Sequence, residues 1–251
     1  CMVNPGCERM CDVSERSTTT MSAPDANVPM TRSAWADHRL RDAILGGRLL
    51  TVDPLGISTL ARDVGVWATP LREALGRLAA EGLVEMQAHG SARVATVDLG
   101  EAVEIYELRQ VLEPMALERS VATADAGYSG RVEKTWRALT ASRLSTASNH
   151  AAFHRELLSC CDSTWMLRLS TLLSDRAGLM MKVSALARPK DYNLAESHRL
   201  LKELAVAGDA IGAAEELTRH LADTISALES ILARATSLDT THPTDTMAGA
   251  G

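Results

Sequence analysis

The run GVWATPLREALGRLAAEGLV, from Gly65 to Val84, constrains the chain more than any other stretch. A short helical pattern over Leu60–Val64 stops at Gly65. After Val66-Trp67-Ala68 a second helix begins, with Thr69 placed to cap it and Pro70 at its first position, where a missing N–H costs nothing. That helix buries Leu71, Ala74, Leu75 and Leu78, turns Arg72, Gly76 and Arg77 outward, and ends at Gly82. A three-residue turn of this kind sets two helices at a steep angle. The second can then enter a DNA major groove while the first holds it.

The flanks complete the pattern. Upstream, Trp35, Ala36, Leu40, Ala43 and Ile44 form a helical stripe that Gly46-Gly47 terminates. Downstream, Leu83–Met86 and Ala92–Ala95 flank a turn at His89-Gly90, an expected hairpin. Helix, short helix, tight turn, helix and hairpin is the order of a winged helix-turn-helix. The free N–H groups at the start of the reading helix suit a phosphate, Arg72 follows one turn on, and the His89-Gly90 tip is placed to reach the neighbouring minor groove.

Composition bounds the alternatives. With 26 basic and 32 acidic residues the chain has a net charge of −6, so it is no polybasic binder as a whole. The winged segment is the one part that is not net acidic. Aromatics make up 3% with a single Phe, too few for a stacking platform on single strands. No apolar run reaches membrane length and no signal sequence opens the chain. The five cysteines, 1, 7, 11, 160 and 161, form no disulfide framework. A cytoplasmic protein is expected, and the Cys7/Cys11 spacing lacks the second pair a zinc finger needs.

The fold class expected is mainly α, a winged helix-turn-helix followed by an all-helical bundle. Residues 1–30 and 236–251 read as disordered, 31–97 as the DNA-binding domain and 98–235 as the helical domain. Helices are expected near 99–124, 129–143, 150–161, 164–187, 191–207 and 209–234. In the first, Val103, Tyr106, Leu108, Val111, Leu112, Met115 and Leu117 form a broad apolar stripe, with a kink at Pro114. Four histidines are placed informatively. His150 and His154 share a helix face at i, i+4, while His198 and His220 lie on the last two helices. Imidazoles from antiparallel helices can converge on a Zn²⁺-like ion, or each can be an ordinary hydrogen-bonded histidine. HAAFH lacks the general-base Glu of HExxH, no nucleophile motif appears, and there is no phosphate-cradling Gly loop, so an enzyme is not expected.

The segment AILGGRL…LARDVGVWATPLREALGRLAAEGLVEMQAHGSARV resembles the DNA-binding domain of the GntR family of bacterial transcription regulators. The resemblance carries family DNA contacts onto Thr69, Arg72, His89 and Gly90, with Arg77 on the same helix. It departs at Trp67-Ala68, where the family has Ser-Arg, and at Ser58, where many members have Arg. Weaker or differently specific DNA binding is implied. The helical part, opening with Leu108, Arg109, Leu112 and Glu113, resembles the FCD domain of the FadR-like branch. That resemblance implies a metal at His154, His198 and His220, with His150 standing where the family has Asp. An all-nitrogen set suits Zn²⁺ or Ni²⁺ better than Mn²⁺. It also implies a small carboxylate effector beside the metal. Arg109 is the first candidate to bind that carboxylate and Arg176 the second, unless an acid such as Glu113 pairs with them. The function so implied is a homodimeric repressor on a near-palindromic operator. A metal-sensing regulator is the alternative, and a metal-dependent enzyme fused to a DNA reader a more remote one.

Overall fold

The structure, a computed structural model, describes residues 30–49, 55–87, 91–141, 147–180 and 194–239. Its first unit opens with α1 (Arg32–Leu45), capped by Thr31, whose hydroxyl accepts the Ala34 N–H at 3.1 Å. β1 (Leu55–Gly56), α2 (Ile57–Val64), α3 (Ala68–Ala80), β2 (Val84–Met86) and β3 (Ser91–Val94) follow. Gly65 sits in the left-handed region at φ 75°. There the Val66 N–H reaches back to the Ala61 carbonyl at 2.9 Å and closes α2.

That closure moves the start of α3. Gly65, Val66 and Trp67 complete the turn, so Trp67 is the N-cap, no side chain caps the helix, and Thr69 lies inside it, correcting its expected capping role. Pro70 becomes the third helical residue. The first backbone bond of the helix runs from the Leu71 N–H to the Trp67 carbonyl at 3.3 Å, so the missing Pro70 N–H is still one of the unpaired first-turn donors.

The sheet has three antiparallel strands in the order β1-β3-β2, one more than the hairpin expected. Val84 pairs with Val94 and Glu85 with Arg93, whose side chains form an ion pair at 2.6 Å. The expected tip at His89-Gly90 lies outside the described residues.

The second unit is helical: α4 (Leu99–Ala122), α5 (Tyr128–Ala141), α6 (Ala147–Leu157), α7 (Thr164–Gly178), α8 (Leu194–Ala207) and α9 (Ala210–Asp239). α7 ends well before the expected residue 187, and α9 continues past the expected end at 235. Of the disordered ends expected at 1–30 and 236–251, residues 1–29 and 240–251 lie outside the described residues, as do Cys1, Cys7 and Cys11, and residues 236–239 are helical, correcting the start of the expected tail. Cys160 and Cys161 are free thiols. No described helix is long and apolar enough to cross a membrane.

Each unit has its own core. Leu40, Leu60, Leu71, Leu75, Leu78 and Leu83 anchor the first. Leu117, Phe153, Leu157, Leu201, Leu217 and Leu221 anchor the second, where α4 and α9 form the most extensive helix pairing. α4 passes through Pro114 as one helix and divides its apolar residues between two faces. Tyr106 and Leu117 are buried, but Leu108, Val111 and Met115 are exposed. Their inward counterparts include Arg109 and Glu113, so the broad stripe read from the sequence is two faces. Leu179, just beyond α7, packs against both cores, and a Cβ on Gly178 would meet Leu45 at 2.9 Å.

Candidate functional site

Two groupings of side chains bear on function, one on α3 and one inside the helical unit. On α3, Thr69 and Arg72 are exposed, and Arg72 makes no ion pair among the described residues. Trp67, at the start of the same helix, is 80% exposed. Arg77 is committed elsewhere. Its guanidinium donates to the Ser33 carbonyl at 2.7 Å and faces Asp37 at 3.4 Å, bracing α3 against α1. The reading helix therefore offers its first turn to a partner, and Arg77 fixes its rear.

Inside the helical unit the four histidines converge. α6 supplies His150 and His154, α8 His198 and α9 His220, with one ligand nitrogen from each lying within 4.8 Å of all the others. His154, His198 and His220 are buried and His150 half-buried. His154 Nε2 and His198 Nε2 face each other at 3.1 Å. Two nitrogens about 2.0–2.1 Å from one tetrahedral ion would stand about 3.3 Å apart, so the His154–His198 pair matches a first-row cation, and donors as far as 4.8 Å apart would close around it. Phe153, fully buried, packs edge-on to both His154 and His198 and closes the apolar side.

The tautomer of His220 is set from behind. Ser197 donates its hydroxyl to Glu216 at 2.7 Å, so its oxygen accepts from His220 Nδ1 at 3.2 Å. That puts the lone pair of His220 on Nε2, the nitrogen then able to act as a ligand. Burial holds His154 well below the ordinary histidine range, helped by the neighbouring imidazoles and by Arg109. His154 is therefore held neutral, the state in which imidazole binds a metal.

A narrow cleft of about 20 Å³ opens beside His154, lined also by Glu113, Arg155, Ser170, Thr171 and Ser174. The Ser170 hydroxyl, 3% exposed, has no hydrogen-bond partner among the described residues. A buried polar atom left unpaired costs about 1–3 kcal/mol, so this hydroxyl is open to a polar atom in the cleft, from a ligand or a water.

Neither arginine expected to hold that ligand is placed to do so. Arg109 is buried and grips Glu113 with two nitrogens at 2.7 and 3.2 Å, while its guanidinium stacks over Tyr106 at 4.8 Å. The local i, i+4 acid has taken it, and Glu113, not Arg109, lines the cleft. Arg176 points the other way, donating to Glu101 at 2.7 Å, to the Thr96 carbonyl at 3.0 Å and to the Gly82 carbonyl. It ties α7 to the end of the reading unit. The cation on the cleft is Arg155, next to His154 in sequence. Sequence reasoning missed it, together with Ser170, Ser197 and Glu216. The last stands four residues before His220, a spacing that offers a hydrogen-bonding chain.

A winged helix-turn-helix ahead of a helical bundle defines a DNA-binding transcription regulator. Residues 34–94 match the bacterial regulatory proteins of the gntR family, and residues 104–223 match the FCD domain. The chain is 30% identical over 200 residues to BphR of Paraburkholderia xenovorans, an uncharacterized HTH-type transcriptional regulator, covering 75% of this chain and 82% of that protein. It is 26% identical over 220 residues to the HTH-type transcriptional repressor GlaR of Escherichia coli, covering 81% and 99% respectively. Among solved structures, E. coli McbR/YncC superposes with a TM-score of 0.67 at 20% identity, over 81% of this chain and all of that one. A GntR member from Pseudomonas syringae has a TM-score of 0.50 at 25% identity, over 83% and 88%. The chain belongs to the GntR family and carries an FCD domain; it is a bacterial transcription regulator and not an enzyme.

The depressed His154 carries a pH consequence. Below about pH 6.5 the unfolded chain takes up a proton that folded His154 refuses, so acidification favours unfolding. Metal-free protein is expected to lose stability from pH 6.5 downward, with His154 contributing up to about 1.4 kcal/mol per pH unit. Urea unfolding at several pH values, compared with His154→Gln, checks this; equal slopes in the two proteins would refute it.

Proposed function

We propose that the protein is a homodimeric repressor whose operator affinity is set by a small carboxylate bound beside a Zn²⁺ or Ni²⁺ ion. The observation that carries this reading is the convergence of four imidazoles against a cleft that holds an unpartnered buried serine. His154, His198 and His220 hold the ion, and His150 is the fourth ligand. Nitrogen-only donors favour Zn²⁺ and Ni²⁺ over Mn²⁺. When bound, the ion supplies a Lewis-acidic position that can anchor a carboxylate oxygen. The Glu216–Ser197 pair keeps His220 in its ligating tautomer, and Phe153 excludes water from behind.

A second reading follows from His150. Four histidines can fill a tetrahedral shell and leave no open position, in which case the ion is itself the signal. Titration of DNA binding with buffered metal, with and without small carboxylates, separates the two.

DNA is read by Thr69 and Arg72 on the first turns of α3, with His89 and Gly90, which lie outside the described residues, as further DNA contacts. One short helix contacts too few bases for specificity, so two readers act on a near-palindromic site. The apolar faces of the packed helices α4 and α7, Leu108, Val111 and Met115 with Trp165, Leu169 and Leu172, are exposed in the single chain and supply the dimer contact.

Three outcomes are expected. Purified untagged protein carries about one Zn or Ni per chain by elemental analysis, lost in His198→Ala/His220→Ala; no uptake even after metal addition would sink the metal reading. On a duplex selected from a random pool, Arg72→Ala weakens binding and lowers the log–log salt slope by about one if its contact is a phosphate, or relaxes one base preference if it is a base. An unchanged affinity would remove Arg72 from the interface. Leu108→Glu/Val111→Glu runs as a monomer in light scattering with little loss of fold stability, and a persistent dimer would move the interface elsewhere.

A further inference from the structure

The buried carboxylate of Asp175, 1% exposed, joins the cleft to the DNA reader. Its Oδ2 accepts from Arg41 on α1 at 2.5 Å, and its Oδ1 from Arg155 on α6 at 3.2 Å. Arg41 is shared in turn with Asp37 at 3.2 Å and with Glu81, the residue that ends α3. Burial opposes the charge of Arg41, but Asp175, Glu81 and Asp37 together outweigh it, so the guanidinium is held firmly cationic. The two arms are unequal. The Arg155 side chain is 47% exposed with the longer bond, against 19% for Arg41. Arg155 lines both the histidine cleft and the groove between reader and bundle, where Arg41, Glu81 and Asp175 also lie.

We propose that Arg155 is the anion-binding residue of the cleft, and that it exchanges Asp175 for the effector's carboxylate and so reports binding to Arg41 in the reader. This rests on the effector reading above. A buried carboxylate cannot be left unpaired without a cost of several kcal/mol, so when Arg155 leaves, Asp175 falls wholly to Arg41. Arg41 is then drawn toward α7 and away from Glu81, which docks the reader more firmly while loosening its hold on the end of α3. By linkage the competition runs both ways. Removing Asp175 frees Arg155 for the ligand, whereas removing Arg41 leaves Asp175 to clamp it.

The test uses the full chain loaded with Zn²⁺ and succinate as the carboxylate probe, titrated by calorimetry at fixed ionic strength. Arg155→Gln is expected to abolish binding, Asp175→Asn to tighten it roughly fivefold or more, and Arg41→Gln to weaken it by a similar factor. The opposite signs on one bridge are the signature; equal signs, or no change in either, overturn the exchange. A ligand-free measurement runs beside it: hydrogen exchange at the end of α1, Ala43–Leu45, which adjoins the docking contact. Exchange there slows severalfold in Arg155→Gln and quickens in Arg41→Gln. If wild type takes up no succinate, the carboxylate reading falls, and the exchange data alone decide the shared bridge. Unchanged or faster exchange in Arg155→Gln would overturn it.

Discussion

Charge buried at the seam of α4, α6 and α7 is the constraint to which the rest of the helical unit answers. Arg109 and Glu113 lie almost wholly out of water among aliphatic neighbours, a placement tolerable only because each satisfies the other. That pairing fixes which face of α4 turns inward, and so leaves Leu108, Val111 and Met115 outside. It also sets the wall of the cleft, since the Glu113 carboxylate is held where an unpaired arginine was expected. His154, Ser170 and Asp175 extend the same polar seam toward the reader, the last with two guanidinium partners.

What could be read from the sequence was what local chemistry decides. The helix-turn-helix is written in Gly65, Pro70 and the apolar spacing of Leu71, Leu75 and Leu78, all within one short run. The histidines could be grouped because helical spacing puts His150 and His154 on one face, and the family resemblance drew in His198 and His220. The misses share a different cause. Thr69 looked like a cap because its residue type favours one, yet Gly65 folds the turn so tightly that the helix has started before it. β1 has two residues, too few to show any alternation. Arg176 finds its partners 75 to 94 residues away, which no periodicity reveals. Arg109 had a local acid in plain view at i+4, and that competitor won.

The replacement of an acidic ligand by His150 changes the charge of the proposed metal site. Four neutral imidazoles leave the whole +2 of a divalent ion uncompensated, where an Asp would have cancelled one unit. The Arg109–Glu113 pair beside it is close to neutral, and Arg155 on the cleft shares its charge with Asp175. With such an ion bound, that balance would favour an anion, because burial leaves the ion's field less screened than in water. The unpartnered Ser170 then adds a directional hydrogen bond to an attraction that is otherwise only electrostatic.

The contact between reader and bundle has the composition of a joint that can change. Arg41–Asp175, Arg176 on the Gly82 and Thr96 carbonyls and the Ser148 hydroxyl on Asp42 supply its polar bonds, while Leu45 against Gly178 and Leu179 supplies a small apolar pivot. A large apolar interface would lose transfer free energy in proportion to the area opened, and would hold one arrangement. Ion pairs that share one buried carboxylate between two arginines can trade partners at lower cost, since the carboxylate keeps one of them and the more exposed Arg155 finds another charge or water. The reader is therefore fixed in angle by bonds that are individually exchangeable. Gly82, which ends the turn after α3, is held by Arg176 through its carbonyl, and Glu81 beside it by Arg41. A shift of either arginine is felt first at the end of α3, the helix proposed to meet DNA.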